Sequence, residues 1–390
     1  SDIFDLNELN QKMKRWEKEN NWQAIVQELK PLCQKGNPGW SDAMMLRSLG
    51  FACTQLDQLD QALICYTRWI ELEPERAQPY YSLGYVFYLQ KNWATAVDWF
   101  EKALEKYPDY LVCRYRLAYS YWAMDKSRLA SPHLEHVREV WQAEKDEFRK
   151  KQQLKTYVKT GFLYGKVLLR LKDFNRSVAV LEETMELNKD KYLSVNHIYY
   201  ELGKAHGKAG ETGRALSCLQ QALNPHRPQE YVLDQIGRVY AGRQDYEKAL
   251  EYFDRALRQR RKPYILLNRA LVLMETGKLN PALRDLCEAL KRDQKGKHKI
   301  RLQMARVYRE MGKWPEMKGE LLRAIQFKQQ VYGSDYAEAH LLLSEYYRQC
   351  GQPEQAGEEY RIALAIQPDL EFERVETSRV SPDSEAAEIF

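Results

Sequence analysis

The residues best spaced to do chemistry are His133 and His136, with Glu135 between them and Cys113 upstream. On a helix this spacing puts both imidazoles on one face, as a metal-binding helix presents two of its ligands. Zinc needs a third and a fourth ligand, and no spacing in the chain supplies them. The pair therefore reads as helix surface, and no metal is expected. The cysteines (Cys33, Cys53, Cys65, Cys113, Cys218, Cys287 and Cys350) are odd in number and form no C-x-x-C pair. Several fall at small apolar positions, so they read as reduced core thiols in a cytoplasmic setting. The chain holds no G-x-x-x-x-G-K-[ST] or G-x-G-x-x-G phosphate loop and no G-x-S-x-G elbow. Neither a catalytic centre nor a cofactor is expected. The basic stretches RQRRK (Arg258–Lys262) and KRDQKGKHK (Lys291–Lys299) fall where helices should end, where cations complement the helix dipole.

The elements that position these residues follow from a repeat. Tyr80, Leu83-Gly84, Phe87, Ala96, Phe100, Ala103 and Pro108 reproduce a layout found 34 residues earlier in Leu46, Leu49-Gly50, Cys53, Ala62, Tyr66, Trp69 and Pro74. Laid over the whole chain, the template gives ten candidate units starting near Leu6, Ala43, Ala77, Leu111, Val158, Asn196, Glu230, Pro263, His298 and Ala337. Gly or Ala at the eighth and twentieth positions (Gly84 with Ala96, Gly203 with Ala215, Ala270 with Ala282) lets two antiparallel helices approach closely. Aromatics at position 17 (Trp93, Phe174, Tyr246, Trp314) fill the gap to the next unit. Asp57, Lys91-Asn92, Gly210 with Gly213, Gly277, Gly312 and Gly351 read as turns between paired helices. Pro74, Pro108, Pro263 and Pro368 stop a second helix or start the next unit.

With this layout the chain resembles the tetratricopeptide-repeat superfamily over residues 6–370. The resemblance implies an all-α fold: an α-solenoid, a right-handed superhelix of about nine to ten helix–turn–helix repeats. Residues 1–42 would be a degenerate N-terminal capping repeat, 43–141 and 158–370 repeat units, and 142–157 a charged helical insertion. That insertion, QAEKDEFRKKQQLKTY, has no Gly or Pro and should continue the helix around His136–Trp141. Residues 371–390 contain six acids and two bases, net −4, which leaves +9 for the rest of a chain of net +5. This Ser/Glu-rich tail reads as disordered, with a role in self-association through the basic body.

The resemblance also implies where a ligand sits, because first-helix positions 2, 5, 6, 9, 12 and 13 line the concave groove of the family. Here they place Tyr81, Tyr85, Tyr88, Tyr115, Arg116, Tyr119 and Trp122 on that face, with Arg47 upstream. A basic row follows: Lys166, Lys204, Lys208 and Arg238, flanked by Lys159, Arg170, Arg306 and Arg309. The alternative for each aromatic is inter-repeat packing. The carboxylate clamp of chaperone-tail adaptors is not matched, since Phe51, Ser82 and Val112 stand at three of its polar positions and Arg116 alone fits. An asparagine ladder like that of the sugar-transferring relatives is missing too, with Asn268 alone at its position.

Two ligand classes fit these residues. The first is a protein or peptide segment with acidic and apolar residues, held by a non-enzymatic scaffold or adaptor. The second is single-stranded RNA or DNA, with rings stacking on bases and cations on phosphates. No apolar run is long enough to span a membrane.

Overall fold

A computed structural model describes residues 6–370; the acidic tail and its expected disorder and self-association lie outside the described residues. Among these there are twenty α-helices and no strand, arranged as ten helix pairs. The first five pairs are α1 (Leu6–Lys18) with α2 (Trp22–Leu32), α3 (Ala43–Gln55) with α4 (Leu59–Leu72), α5 (Ala77–Leu89) with α6 (Trp93–Lys106), α7 (Leu111–Ala123) with α8 (Ser127–Ala143), and α9 (Glu147–Arg170) with α10 (Phe174–Leu187). Then come α11 (Val195–Lys208) with α12 (Thr212–Ala222), α13 (Glu230–Gly242) with α14 (Tyr246–Gln259), α15 (Pro263–Glu275) with α16 (Leu279–Arg292), α17 (Lys297–Glu310) with α18 (Trp314–Tyr332), and α19 (Ala337–Gln349) with α20 (Pro353–Ile366). The fold is the all-α solenoid that the repeats predict. It divides into two compact units, Ser1–Glu201 and Leu202–Phe390, the boundary falling inside α11.

Nine of the ten first helices begin at, or one residue before, the start read from the template. The reason is visible in the turns. Every paired turn holds one residue in the left-handed region: Asn20, Asp57, Lys91, Asp125, Lys172, Gly210, Gln244, Gly277, Gly312 and Gly351. That residue ends the first helix, and the amide after it reaches back into the last turn, as Asn92 N to Phe87 O at 2.9 Å and Lys278 N to Leu273 O at 2.8 Å. The same following residue often caps the second helix: the Asn92, Asp173 and Asp245 side chains accept from Thr95 N, Arg176 N and Lys248 N. Two residues thus close one helix and open the next. Gly213, read as a turn residue, instead lies in α12, since Gly210 alone makes the turn.

Close approach of the paired helices rests on small residues. A Cβ on Gly84 would stand 2.8 Å from the Phe100 ring, and one on Gly237 would stand 2.8 Å from the Phe253 ring. Around these contacts Leu46, Leu49, Val86, Leu117 and Leu134 are fully buried in unit 1, and Leu233, Ile236, Ile265, Leu266 and Leu286 in unit 2. Within unit 1, first helices α5, α7 and α9 touch one another in series; within unit 2, α13, α15 and α17 do the same. First helices are accordingly the more buried members of most pairs, and each unit keeps one face built from them.

The tenth start differs. The fifth unit begins at Glu147 rather than near Val158, so the charged insertion lengthens a first helix to 24 residues. It does not continue α8, as the sequence suggested. The helix breaks at Glu144–Asp146, because the Asp146 carboxylate caps α9 by accepting from Phe148 N (2.9 Å) and Arg149 N (3.2 Å). The chain then folds back: Trp141 stacks on Tyr157 with centroids 3.9 Å apart and donates its Nε1–H to Lys150 O at 3.0 Å.

Candidate functional site

In unit 1 the face made by α5, α7 and α9 carries a connected chain of rings. Tyr81 and Tyr85 stack at 6.2 Å between centroids, Tyr85 and Tyr88 at 5.9 Å, and Tyr88 meets Tyr119 at 5.4 Å. Tyr119 then meets Trp122 at 5.5 Å. Tyr110 joins Tyr81 at 4.9 Å, and Trp93 closes the other side against Tyr88 at 5.3 Å. The spacing follows from the repeat: rings three or four apart on one helix meet, and Tyr88 and Tyr119, 31 apart, face each other across neighbouring first helices.

Cations lie on these rings. The Arg116 Cζ stands 4.1 Å from the Tyr85 centroid and 5.1 Å from that of Tyr88, while Arg116 Nε donates to the Tyr81 hydroxyl at 2.9 Å. Lys166 Nζ lies 4.3 Å from the Trp122 ring, and Arg170 Cζ 4.7 Å from it. Arg170 also donates to Trp122 O at 3.1 Å and pairs with Asp125 at 3.2 Å. No carboxylate of the described residues pairs with Arg116 or with Lys159. Burial lowers the pKa of Lys159, and Lys155 and Arg116 nearby lower it further.

Unit 2 presents different chemistry on the corresponding face. A groove of about 840 Å³ is lined by Lys204, Lys208, Gln235, Arg238, Asn268, Gln303, Arg306 and Arg309 among others. Its floor is a row of side-chain amides. Gln235 accepts from Arg238 at 2.8 Å, and Gln303 accepts from Arg306 at 3.3 Å. The Asn268 amide donates to both Asp234 carboxylate oxygens, at 3.0 and 3.2 Å. Asp234 is buried, and this burial pushes its pKa up to about 6, against the opposing effects of Arg238 and Asn268. Arg309, at the end of the groove, is answered by Glu345 at 3.2 Å and Glu310 at 3.1 Å.

The expected groove residues therefore form two clusters, one per unit. Tyr81, Tyr85, Tyr88, Arg116, Tyr119 and Lys166 come together in the first; Lys204, Lys208 and Arg238 come together in the second. Trp122 is a correction: only 6% of it is exposed, and it packs with Ala118, Leu163 and Val167 beneath its two cations. Tyr115 is half-buried beside Arg116 and Tyr119, and burial raises its pKa. Arg47 is exposed and acts electrostatically on Tyr110. Gln235 and Gln303 were missed. Reading position 6 for any carboxamide, rather than for asparagine alone, would have found both. The two histidines part company: His136 Nε2 meets Asp109 at 2.8 Å, whereas His133 stacks on Tyr121 and meets Arg114. Cys113 is buried, its thiol directed at Phe100 O. Burial also pushes the Cys33 and Cys53 thiols up to about 12, which suits core residues rather than nucleophiles.

Comparison with known proteins identifies the repeats. Residues 235–297 and 337–370 match models of the tetratricopeptide repeat, and residues 55–137 match the model described as anaphase-promoting complex, cyclosome, subunit 3. The chain carries tetratricopeptide repeats. Its architecture is that of a protein–protein interaction scaffold. Lipopolysaccharide assembly protein B of Escherichia coli K12 is 27% identical over 105 residues, covering 27% of this chain and 26% of that protein. The chain thus spans about a quarter of that curated relative's length. Among solved structures, a tetratricopeptide repeat protein of Parabacteroides merdae aligns at TM-score 0.45 and 15% identity over 68% of this chain and 98% of that one. Yeast Tom70 aligns at TM-score 0.42 and 16% identity over 85% of this chain and 78% of that one. No helix of the described residues is long and apolar enough to cross a membrane.

Proposed function

We propose that this tetratricopeptide-repeat scaffold holds extended segments of partner proteins against its first-helix faces, and that those segments combine acidic with apolar residues. The observation that carries this reading is the unit 1 face, where Tyr81, Tyr85, Tyr88 and Tyr119 form one ring cluster and Arg116, met by no carboxylate, lies on Tyr85 and Tyr88. Broad aromatic area with little rotamer entropy suits recognition of a peptide, and cations without carboxylates favour an acidic one. The unit 2 groove supports the same function differently, since carboxamides such as Gln235, Asn268 and Gln303 match the donors and acceptors of a peptide backbone. Stacking of single-stranded nucleic acid is the weaker reading, because Arg116, Lys166 and Arg170 already lie on the faces of Tyr85, Tyr88 and Trp122 that bases would need.

The test is an array of acidic, apolar and mixed peptides probed with the full chain, followed by calorimetry on the best sequence. Double substitution Tyr85→Ala and Tyr119→Ala should weaken binding by about ten-fold or more, with the helical content unchanged. Equal affinity of this variant and the parent chain would reject the site.

A further inference from the structure

Most partly buried arginines of unit 1 have an anionic or carbonyl acceptor. Arg138 reaches Glu183 at 2.5 Å, Arg170 reaches Asp125, Arg68 reaches Glu71 at 2.7 Å, and Arg114 donates to Pro108 O at 2.6 Å. Arg116 differs. Its Nε is spent on the Tyr81 hydroxyl and its planar face on Tyr85 and Tyr88, which leaves the terminal nitrogens of the fork without a protein acceptor. A guanidinium fixed in this way has lost its rotamer freedom before any ligand arrives. Lys159 is half-buried on α9, the first helix packed directly against the α7 that carries Arg116, and Arg116 and Lys155 both disfavour its charge. Two neighbouring cations with unused donors, one a rigid fork, form a receptor for an anion.

We propose that Arg116 and Lys159 form a subsite for the dianion of a phosphate monoester, carried on a phosphorylated side chain of the bound peptide. This rests on the reading that the unit 1 face takes a peptide, and adds the chemistry of one of its residues. The charge chooses the ligand. A carboxylate brings one negative charge to a site holding two or three uncompensated positive ones. A phosphate monoester brings about −1.5 to −2 at neutral pH and three strong acceptor oxygens. Two of those oxygens suit the parallel N–H groups of the Arg116 fork, and the third suits the Lys159 ammonium. A nucleic-acid phosphodiester carries a single charge, and it would arrive with bases whose nearest stacking faces, Tyr85 and Tyr88, Arg116 already covers.

The experiment is calorimetry on the full chain at low salt with phenyl phosphate, inorganic phosphate and phenylacetate. A short peptide with a central phosphoserine between leucine and glutamate, its unphosphorylated form and a 5′-phosphorylated oligonucleotide complete the panel. Phenyl phosphate should bind at least about ten-fold more tightly than phenylacetate, and the phosphopeptide more tightly than its unphosphorylated form by a similar factor. Lys159→Gln, at a half-buried position, should remove most of that preference. Arg116→Gln should remove it too, and circular dichroism would report whether that variant folds. Equal binding of phosphate and carboxylate probes overturns the proposal, as does a preference that survives Lys159→Gln. Unphosphorylated acidic peptides that bind well without any phosphate preference overturn the subsite but leave the peptide-scaffold reading standing. Phenyl phosphate binding with no peptide capture, or an oligonucleotide that binds more tightly than the phosphopeptide, overturns the assignment to a peptide side chain.

Discussion

The first-helix faces of the two units share a scaffold and differ in chemistry. Gly84 meets Phe100 in unit 1 as Gly237 meets Phe253 in unit 2, in each case with 2.8 Å between the ring and a would-be Cβ. Above that common geometry, unit 1 presents tyrosines with Arg116, which no carboxylate meets, and unit 2 presents amides that accept from Arg238 and Arg306. Tyr81 and Asp234 hold the same repeat position, five, and Arg116 and Gln235 the same position, six. The difference teaches that packing positions are constrained by close approach, whereas groove positions are left free to carry specificity. On our proposal the first face gains from an anion, whereas in the second Arg238 and Arg306 meet carboxamides and Arg309 meets Glu345.

The largest expected effect tests whether the scaffold is in fact common. Gly84→Val and Gly237→Val should each destabilise their helix pair by about 1–3 kcal/mol through overpacking. Hydrogen exchange of α5–α6 and α13–α14 reads the two losses separately, which suits a repeat array that need not unfold as a single unit. A loss in only one unit would break the equivalence on which the comparison rests.

The next effect separates the grooves by pH. Asp234 has its folded pKa raised to about 6, so the native state holds its proton more tightly than the unfolded chain does. Stability then falls as pH rises from the ordinary aspartate value towards 6, and the penalty is fully present above that. Its ceiling is roughly 2–3 kcal/mol. Asp234→Asn should therefore protect α13 and α15 at pH 8 and give much less at pH 4. Tyr81→Phe in unit 1 should shift exchange equally at both values, since the Tyr81 hydroxyl meets Arg116 and no carboxylate. A pH-independent effect of Asp234→Asn would remove this distinction.

The smallest effects sit in the turns. Lys91 and Lys172 adopt the left-handed conformation at a cost that glycine avoids, so Lys91→Gly should stabilise unit 1 by about 0.5–1 kcal/mol. Gly277→Ala should destabilise unit 2 by about 1 kcal/mol for the converse reason. Thermal melts of the single variants measure both, and the same sign for the two would contradict the shared turn geometry.

Much of the fold was legible because the repeat writes each structural requirement at a fixed place. The starts at Ala43, Ala77, Leu111, Glu230, Pro263 and Ala337, and left-handed turns at Asp57, Lys91, Gly277, Gly312 and Gly351, follow from composition at those places. The break before α9 was hidden because Asp146 ends α8 by capping α9, a local competition that helix propensity alone does not reveal. The aromatic face was half legible. Position numbers brought Tyr85, Tyr88 and Tyr119 to one surface, but Trp122 sits at a groove position and is buried all the same.

The sequence by itself determined the helix pairing, the turns and the list of residues offered to a first-helix face, because these depend on neighbours within about 34 residues. Only the tertiary structure decided which cations find a partner. Arg309 meets Glu345, Arg269 meets Asp285 and Arg170 meets Asp125, while Arg116 settles on tyrosines with no acid in reach. Such pairing depends on side-chain reach across helices, a few ångströms either way, and periodicity along the chain carries no record of it.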